Sequence, residues 1–199
     1  MNLLPIDYLA VVHIKQPGKP GWTMEPCEEW YGHRLGRDGH DQWRDFKAGP
    51  AHVPDAAAWE ALWAAAEAAV PWATVAVGAR LSGDRRHVTV AAERWPGLLM
   101  LSLHDRAPGP FSLLMHEALH EVWDRLDEAE QDVLVEYGQT VRQANAEQGG
   151  VYPADWFDRP GEAEAVSFAG WCMGAKDCMN LPHSREVVEV WNRIRNGKA

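Results

Sequence analysis

Hydrophobic and polar positions along this chain repeat with two periods, one typical of strands and the other of helices. Short runs rich in β-branched and apolar residues predict strands, and residues 82–85 predict a hairpin turn between the second run and the third. These runs are residues 7–15, 73–80, 87–93 and 98–104. Apolar positions three and four apart predict helices at residues 55–69, 111–126, 127–148, 160–173 and 185–195. We therefore expect an α+β fold with a small antiparallel sheet.

Residues that cap helices support these boundaries. Asp55 and Ser184 stand just before the first and last predicted helices, where a side-chain oxygen can accept a free backbone N–H. Asp127 precedes the third helix, and Glu130 follows three residues later, which is the spacing of a capping box. Pro71 ends the first helix, because proline cannot continue the helical hydrogen bonds.

The first quarter of the chain lacks such regularity. Residues 16–54 are rich in Gly, Pro, His and Trp without a sustained period, and a short helix near 26–35 is the one element expected there. We predict that residues 1–54 form an irregular N-terminal extension with one strand. Within it, residues 16–54 either pack by their aromatic side chains or act as a lid or as a partner-binding arm. Residues 55–199 are then the main domain.

Composition and charge exclude several classes of function. The formal net charge is −10 and no run of Lys or Arg occurs, which disfavours a nucleic-acid partner. No apolar run approaches 18 residues, so we expect no membrane span. Three cysteines are too few and too irregular for a disulfide framework, and the N-terminus, with Asp7 and no basic region, is a poor signal peptide. We expect a cytoplasmic protein, whose eleven tryptophans serve mainly in packing.

The second predicted helix carries the residues that point to chemistry. His116-Glu117-Ala118-Leu119-His120 places two histidines four residues apart, on one face of a helix, where both imidazoles can bind one zinc ion. Glu117 is placed to accept a proton from a water molecule activated by the metal. Pro110 suits the first turn of that helix. The pattern predicts a zinc-dependent hydrolase with Zn²⁺ as cofactor.

A catalytic zinc site needs a third protein ligand. A histidine at the short spacing His-x-x-Gly-x-x-His is excluded, because Trp123 and Leu126 occupy the required positions. A downstream carboxylate is therefore expected, and the best candidate lies in residues 161–169, where Glu162 stands near a helix start and is followed by small residues. Ala165 and Ala169 share its helical face, and their small side chains allow close approach to the motif helix.

Other residues compete for this role. Glu164 is the alternative third ligand, although it projects about 200° around the helix from Glu162, so both cannot occupy the site. Glu136 is more typical of an exposed helix carboxylate, and Asp158 of a helix cap. His183 could be a ligand or an oxyanion donor, and it equally fits an ordinary loop histidine.

The order of these elements resembles the gluzincin metallopeptidases, with a helix, a small antiparallel sheet, the HExxH helix and a glutamate-bearing helix. The segments HEALH and EAEAVSFA more narrowly resemble the ImmA/IrrE-like family, whose second motif is Glu-x-x-Ala-Asn-x-Phe-Ala. The matching residues are Glu162, Ala165, Phe168 and Ala169, while Val166 stands where the family has Asn. The resemblance covers about residues 55–173. It implies a zincin-like fold, with the sheet packed on the HExxH helix and further C-terminal helices, and Glu162 as the third ligand.

The resemblance also implies a zinc metallopeptidase that acts on a peptide or on a specific regulatory protein. Glu117 would pass its proton to the leaving amine, and Tyr152 and His183 are candidate oxyanion donors. A peptide substrate would lie along residues 98–104 as an added strand. The alternative is a non-catalytic metal-binding or protein-interaction module of the same fold, which uses the Trp-rich arm to hold a partner.

Overall fold

A computed structural model describes residues 2–4, 11–26, 51–53, 55–78, 92–101, 109–148, 157, 159–174 and 181–198. The described chain is α+β, as predicted. Its strands are β1 (Asn2–Leu4), β2 (Val11–Lys15), β3 (Thr23–Pro26), β4 (Ala51–Val53), β5 (Thr74–Val77), β6 (Ala92–Trp95) and β7 (Leu98–Leu101). Its helices are α1 (Ala56–Ala69), α2 (Pro110–Val122), α3 (Glu128–Glu147), α4 (Glu162–Cys172) and α5 (Arg185–Arg195), and a 3₁₀ turn (Trp123–Arg125) follows α2.

The chain divides into two compact units. The first comprises Met1–Glu67 and Pro71–Leu114, and the second comprises Ala68–Val70 and Met115–Ala199. The division falls inside α2, whereas we predicted a boundary after residue 54. The difference arises because β2 and β3, from the predicted extension, belong to the same sheet as β5, β6 and β7.

Five strands of the first unit form a mixed sheet in the order β3-β2-β5-β7-β6. Neighbouring strands are antiparallel except for β5 and β7, which are parallel. The prediction of a purely antiparallel sheet was therefore wrong at this pair. Strands β1 and β4 form a separate antiparallel pair, so the first 54 residues contain four described strands rather than one.

The predicted hairpin between β5 and β6 was also wrong. Both neighbours of β5 are taken, by β2 and β7, so β5 does not pair with β6. The hairpin joins β6 to β7 instead, with Trp95 opposite Leu98 and two residues between them. Pro96 and Gly97 suit this turn, because proline fixes its own φ and Gly97 adopts a φ of +73°. The predicted turn at 82–85 lies outside the described residues.

Helix α1 packs against one face of β2. The His13 ring stacks on the Trp59 ring at 4.3 Å between centroids, and Lys15 Nζ lies 2.9 Å from Glu67 Oε2. His13 and Lys15 share this face because side chains alternate along a strand. Trp22 adds an edge-to-face contact with Trp59 and donates its Nε1–H to the Trp59 carbonyl at 3.2 Å.

The three predicted helix caps are confirmed. Asp55 accepts the N–H of Ala58 on α1, and Ser184 accepts the N–H of Val187 on α5. Asp127 and Glu130 form the reciprocal capping box of α3. These interactions explain why the predicted helix starts lie within a few residues of the observed ones.

In the second unit, α3 packs against both α4 and α5. Phe168 and Trp171 of α4 and Tyr137 of α3 surround Trp191 of α5, whose side chain is fully buried. Among the described residues, no helix combines the length and the apolar character that a membrane crossing requires.

Candidate metal centre

Helix α2 presents its two histidines on one face. Their Nε2 atoms lie 3.3 Å apart, and their ring planes cross at 71°. The side chains of His116 and His120 are 15% and 20% exposed, so both are mostly buried and both keep some contact with solvent. The local sequence explains this placement, because i and i+4 positions share a helix face.

Glu162 completes a cluster of three potential ligands. It is the first residue of α4, and its Oε2 lies 3.2 Å from His116 Nε2 while its Oε1 lies 3.8 Å from His120 Nε2. Within the part of the chain that the structure describes, these three residues are the one group of three or more such side chains whose ligand atoms converge. All three residues belong to the second compact unit.

The spacing of these atoms fits a zinc ion. Zinc bonds to nitrogen and oxygen are roughly 2.0–2.1 Å long, and tetrahedral geometry then separates neighbouring ligand atoms by about 3.4 Å. The 3.3 Å between the two Nε2 atoms and the 3.2 Å from Glu162 Oε2 to His116 Nε2 are close to this value, and the three ligand atoms, one from each residue, all lie within 4.8 Å of one another. Two imidazoles and one carboxylate are also a donor set that zinc accepts. The cluster therefore fits zinc in both distance and chemistry.

The charge state of Glu162 suits this role. Burial alone would raise the pKa of its carboxyl group, but the hydrogen bond from His116 and the charges of His116, His120 and Arg159 together outweigh burial, so the pKa lies below its usual value. The carboxylate form, which is the form that binds a metal, is therefore favoured.

Gly161 lies directly under one of the histidines. It has a φ of +83°, and it starts α4 in the left-handed region that favours glycine. A Cβ at this position would lie 3.2 Å from His120 Cε1 and 3.3 Å from its Nδ1. The absence of a side chain therefore lets the start of α4 approach the imidazole closely.

None of the other candidates that the structure describes joins the three-residue cluster. Glu164, the alternative third ligand, is 2% exposed and accepts hydrogen bonds from Arg142 on both carboxylate oxygens. His183 packs edge-on against Trp191 and Tyr137. Tyr152 and Asp158 lie outside the described residues, and Glu136 is an exposed residue of α3.

Glu117 follows His116 on α2 and is buried, with 8% of its surface exposed. The helix turns about 100° between successive residues, so Glu117 lies on the helix surface beside the one that carries the two histidines. Its position is compatible with the role of proton acceptor that the motif predicts.

Two residues that contact Glu164 were not singled out from the sequence. Gly138 and Arg142 lie one turn apart on α3 and contact Glu164. A glycine in a helix interior costs about 1 kcal/mol relative to alanine, so Gly138 was a signal of close helix approach. Nothing local identified Arg142, because its partner is 22 residues away in the sequence.

No protein-family model, curated protein or solved structure matches this chain. The resemblance of HEALH and EAEAVSFA to the ImmA/IrrE-like gluzincins stays a prediction. The functional inference accordingly depends on the geometry and chemistry of the three-residue cluster.

Proposed function

We propose that this chain is a zinc-dependent metallopeptidase in which His116, His120 and Glu162 hold the metal and Glu117 is the general base. The observation that carries this proposal is the convergence of Glu162, from a helix 42 residues further along the chain, on the two histidines of α2. The motif alone supplied two ligands. The third is brought in by the fold, with spacing that fits zinc.

The number of ligands favours a catalytic site over a structural one. Structural zinc sites are usually closed by four protein ligands, whereas catalytic sites use three and leave one position for water or substrate. The cluster in the described chain has three ligands, each with an exposed fraction of its side chain. A zinc ion held there would lower the pKa of a water molecule and polarise a substrate carbonyl.

The chain's own residues would then handle the proton. Glu117 accepts it from the attacking water and delivers it to the nitrogen of the leaving amine, so one carboxylate serves both steps. The peptide as substrate class follows from the resemblance to gluzincins. Added-strand binding along Leu98–Leu101 is excluded, because β7 already pairs with β5 and β6 on its two sides.

Metal analysis of the purified protein tests the ligand set. We expect about one zinc per chain after dialysis against buffered zinc, with loss of the metal in His116→Ala and in Glu162→Gln, because two ligands hold zinc far less tightly than three. Glu136→Gln, an exposed carboxylate on α3, is the matched control and should keep the metal. Wild-type protein that takes up no zinc would contradict the proposed function.

Cleavage of a mixed peptide library, followed by mass spectrometry, tests the base. Glu117→Gln should bind zinc as the wild type does, while its cleavage rate falls by about 10²–10⁴-fold, the usual contribution of general acid–base catalysis. Glu121→Gln, one turn further on the same helix, is the control and should stay active. Full activity in Glu117→Gln would refute its assignment. Zinc binding without cleavage by the wild type would favour the non-catalytic module.

A further inference from the structure

Arg142 of α3 makes two contacts that bracket the segment carrying Glu162. Its Nη2 donates to both oxygens of Glu164, at 3.1 and 3.0 Å, and its Nε donates to the carbonyl of Phe157 at 3.1 Å. Phe157 lies five residues before Glu162 and Glu164 lies two residues after it. One guanidinium group therefore holds the chain on both sides of the proposed zinc ligand.

Glycine at position 138 makes this arrangement sterically possible. Gly138 and Arg142 are four residues apart on α3 and so share one face of that helix. A Cβ at Gly138 would overlap the carboxylate of Glu164 and would lie 2.9 Å from its Cγ. The Glu164 side chain thus rests on bare backbone, and any larger residue would displace it.

The two glutamates of α4 are geometrically linked. Two residues correspond to about 200° of helix rotation, so Glu162 and Glu164 project from nearly opposite sides of the first turn. A rotation of α4 that moved Glu162 away from His116 would also pull Glu164 from Arg142. Because Glu164 is 2% exposed, its charge would then be buried without its partner, which is strongly unfavourable.

We infer that Arg142 and Glu164, seated on Gly138, are positioning residues that set the rotation of α4 and thereby aim the Glu162 carboxylate at the two histidines. This inference rests on the proposed zinc site and adds to it a support from residues outside the ligand set. Supporting residues of this kind commonly change metal affinity by 10–100-fold when they are altered.

Zinc affinity, measured by competition with a chromophoric chelator, tests the inference. Glu164→Gln should weaken zinc binding by about 10–100-fold in protein that is still folded by circular dichroism. Arg142→Lys keeps the positive charge but replaces the two guanidinium nitrogens that contact Glu164 and Phe157 with a single ammonium nitrogen, so the paired geometry is lost. It should fold, and its loss of affinity should be smaller than that of Glu164→Gln.

Another buried carboxylate, that of Glu130 on α3, provides the matched control. Glu130 forms an ion pair with Arg193 of α5 and belongs to the capping box, so Glu130→Gln also lowers stability but leaves the α3–α4 contact intact. We expect unchanged zinc affinity in this variant. Cobalt bound in place of zinc adds a geometric readout, because its visible absorption should shift in Glu164→Gln and remain as in the wild type in Glu130→Gln.

The outcomes separate this inference from the proposed function. A wild-type protein that binds no zinc overturns both. A wild type that binds zinc, with Glu164→Gln and Arg142→Lys showing the same affinity and the same cobalt spectrum, overturns the positioning role alone. If Glu164→Gln does not fold, Arg142→Lys decides, and wild-type affinity in that variant refutes the inference.

Discussion

At the scale of single residues, glycine determines how closely the helices of the second unit approach the candidate site. Gly161 lies against the His120 ring, and Gly138 lies against the Glu164 carboxylate. In both places a methyl group would meet a side chain that binds or supports the proposed metal. The two positions differ in backbone, because Gly161 has a positive φ whereas Gly138 lies inside α3.

We predict that Gly161→Ala weakens zinc binding as well as stability. Its φ of +83° would cost an alanine about 1–2 kcal/mol, and its Cβ would press on His120. Gly174→Ala is the matched control, because Gly174 has a φ of +65° with nothing within 4 Å of the added Cβ. Both variants should lower the free energy of urea unfolding similarly, and Gly161→Ala alone should weaken zinc binding. Equal zinc affinities would show that the His120 contact has no influence on the site.

Prediction from the sequence succeeded for the residues whose geometry is local. The helix itself places His116 and His120 on one face, so their spacing sufficed, whereas the role of Glu117 stays a prediction. Whether Glu162 or Glu164 is the third ligand depends on a distant residue, because Arg142 donates hydrogen bonds to both oxygens of the Glu164 carboxylate. The sequence favoured Glu162 through small residues and a family resemblance, and it held no direct sign of the ion pair.

At the scale of elements, helices were easier to predict than strand pairing. Apart from α4, the helices of the described chain have an apolar period of their own, and α1, α3 and α5 also begin at a capping residue. Strand order depends on contacts between distant segments, which no short window contains. The parallel pairing of β5 with β7 was missed for this reason.

One strand connection did have a local signal. The dipeptide Pro96-Gly97 separates two apolar runs and is typical of a tight turn. We predicted the hairpin turn at residues 82–85 and not at this dipeptide. Strands β1, β3 and β4 were missed because they are three or four residues long and show no clear alternation. Short strands are defined by the neighbour they pair with more than by their own composition.

At the scale of the whole molecule, two strands from the first quarter of the chain, β2 and β3, belong to the five-stranded sheet. Strand β2 pairs with both β3 and β5, and its Val12 and Ile14 are fully buried. The high content of Gly, Pro and Trp had suggested a separate arm. Composition reports local stiffness and polarity, but it does not show that a strand at residues 11–15 pairs with one at residues 74–77.

The stability of the molecule should depend on His13 in mildly acidic solution. Burial lowers the pKa of His13 from 6.5 in the folded protein. As the pH falls below about 6.5, the unfolded chain binds a proton that the folded chain resists, so the free energy of unfolding decreases. The sign is opposite to that of a histidine stabilised by a salt bridge.

Comparison of the wild type with His13→Gln isolates this effect. The variant lacks the ring that stacks on Trp59, so we expect lower stability than the wild type at neutral pH. The difference should shrink by at most about 1.4 kcal/mol per pH unit as the pH falls from about 7.5 to 5.5. Urea unfolding in the presence of a chelator measures it, and a difference that stays constant across this range would contradict the role of His13.

The mixed sheet has a consequence for the order in which the protein folds. The β6–β7 hairpin closes over two residues, so it can form within microseconds from neighbouring segments. The parallel pairing of β7 with β5 brings residues 98–101 together with residues 74–77, which are more than 20 positions earlier in the chain. This pairing therefore costs more chain entropy than closing the hairpin. We therefore expect the hairpin to form early and to dock onto β5 in a later, slower step, so that β7 pairs with β6 before it pairs with β5.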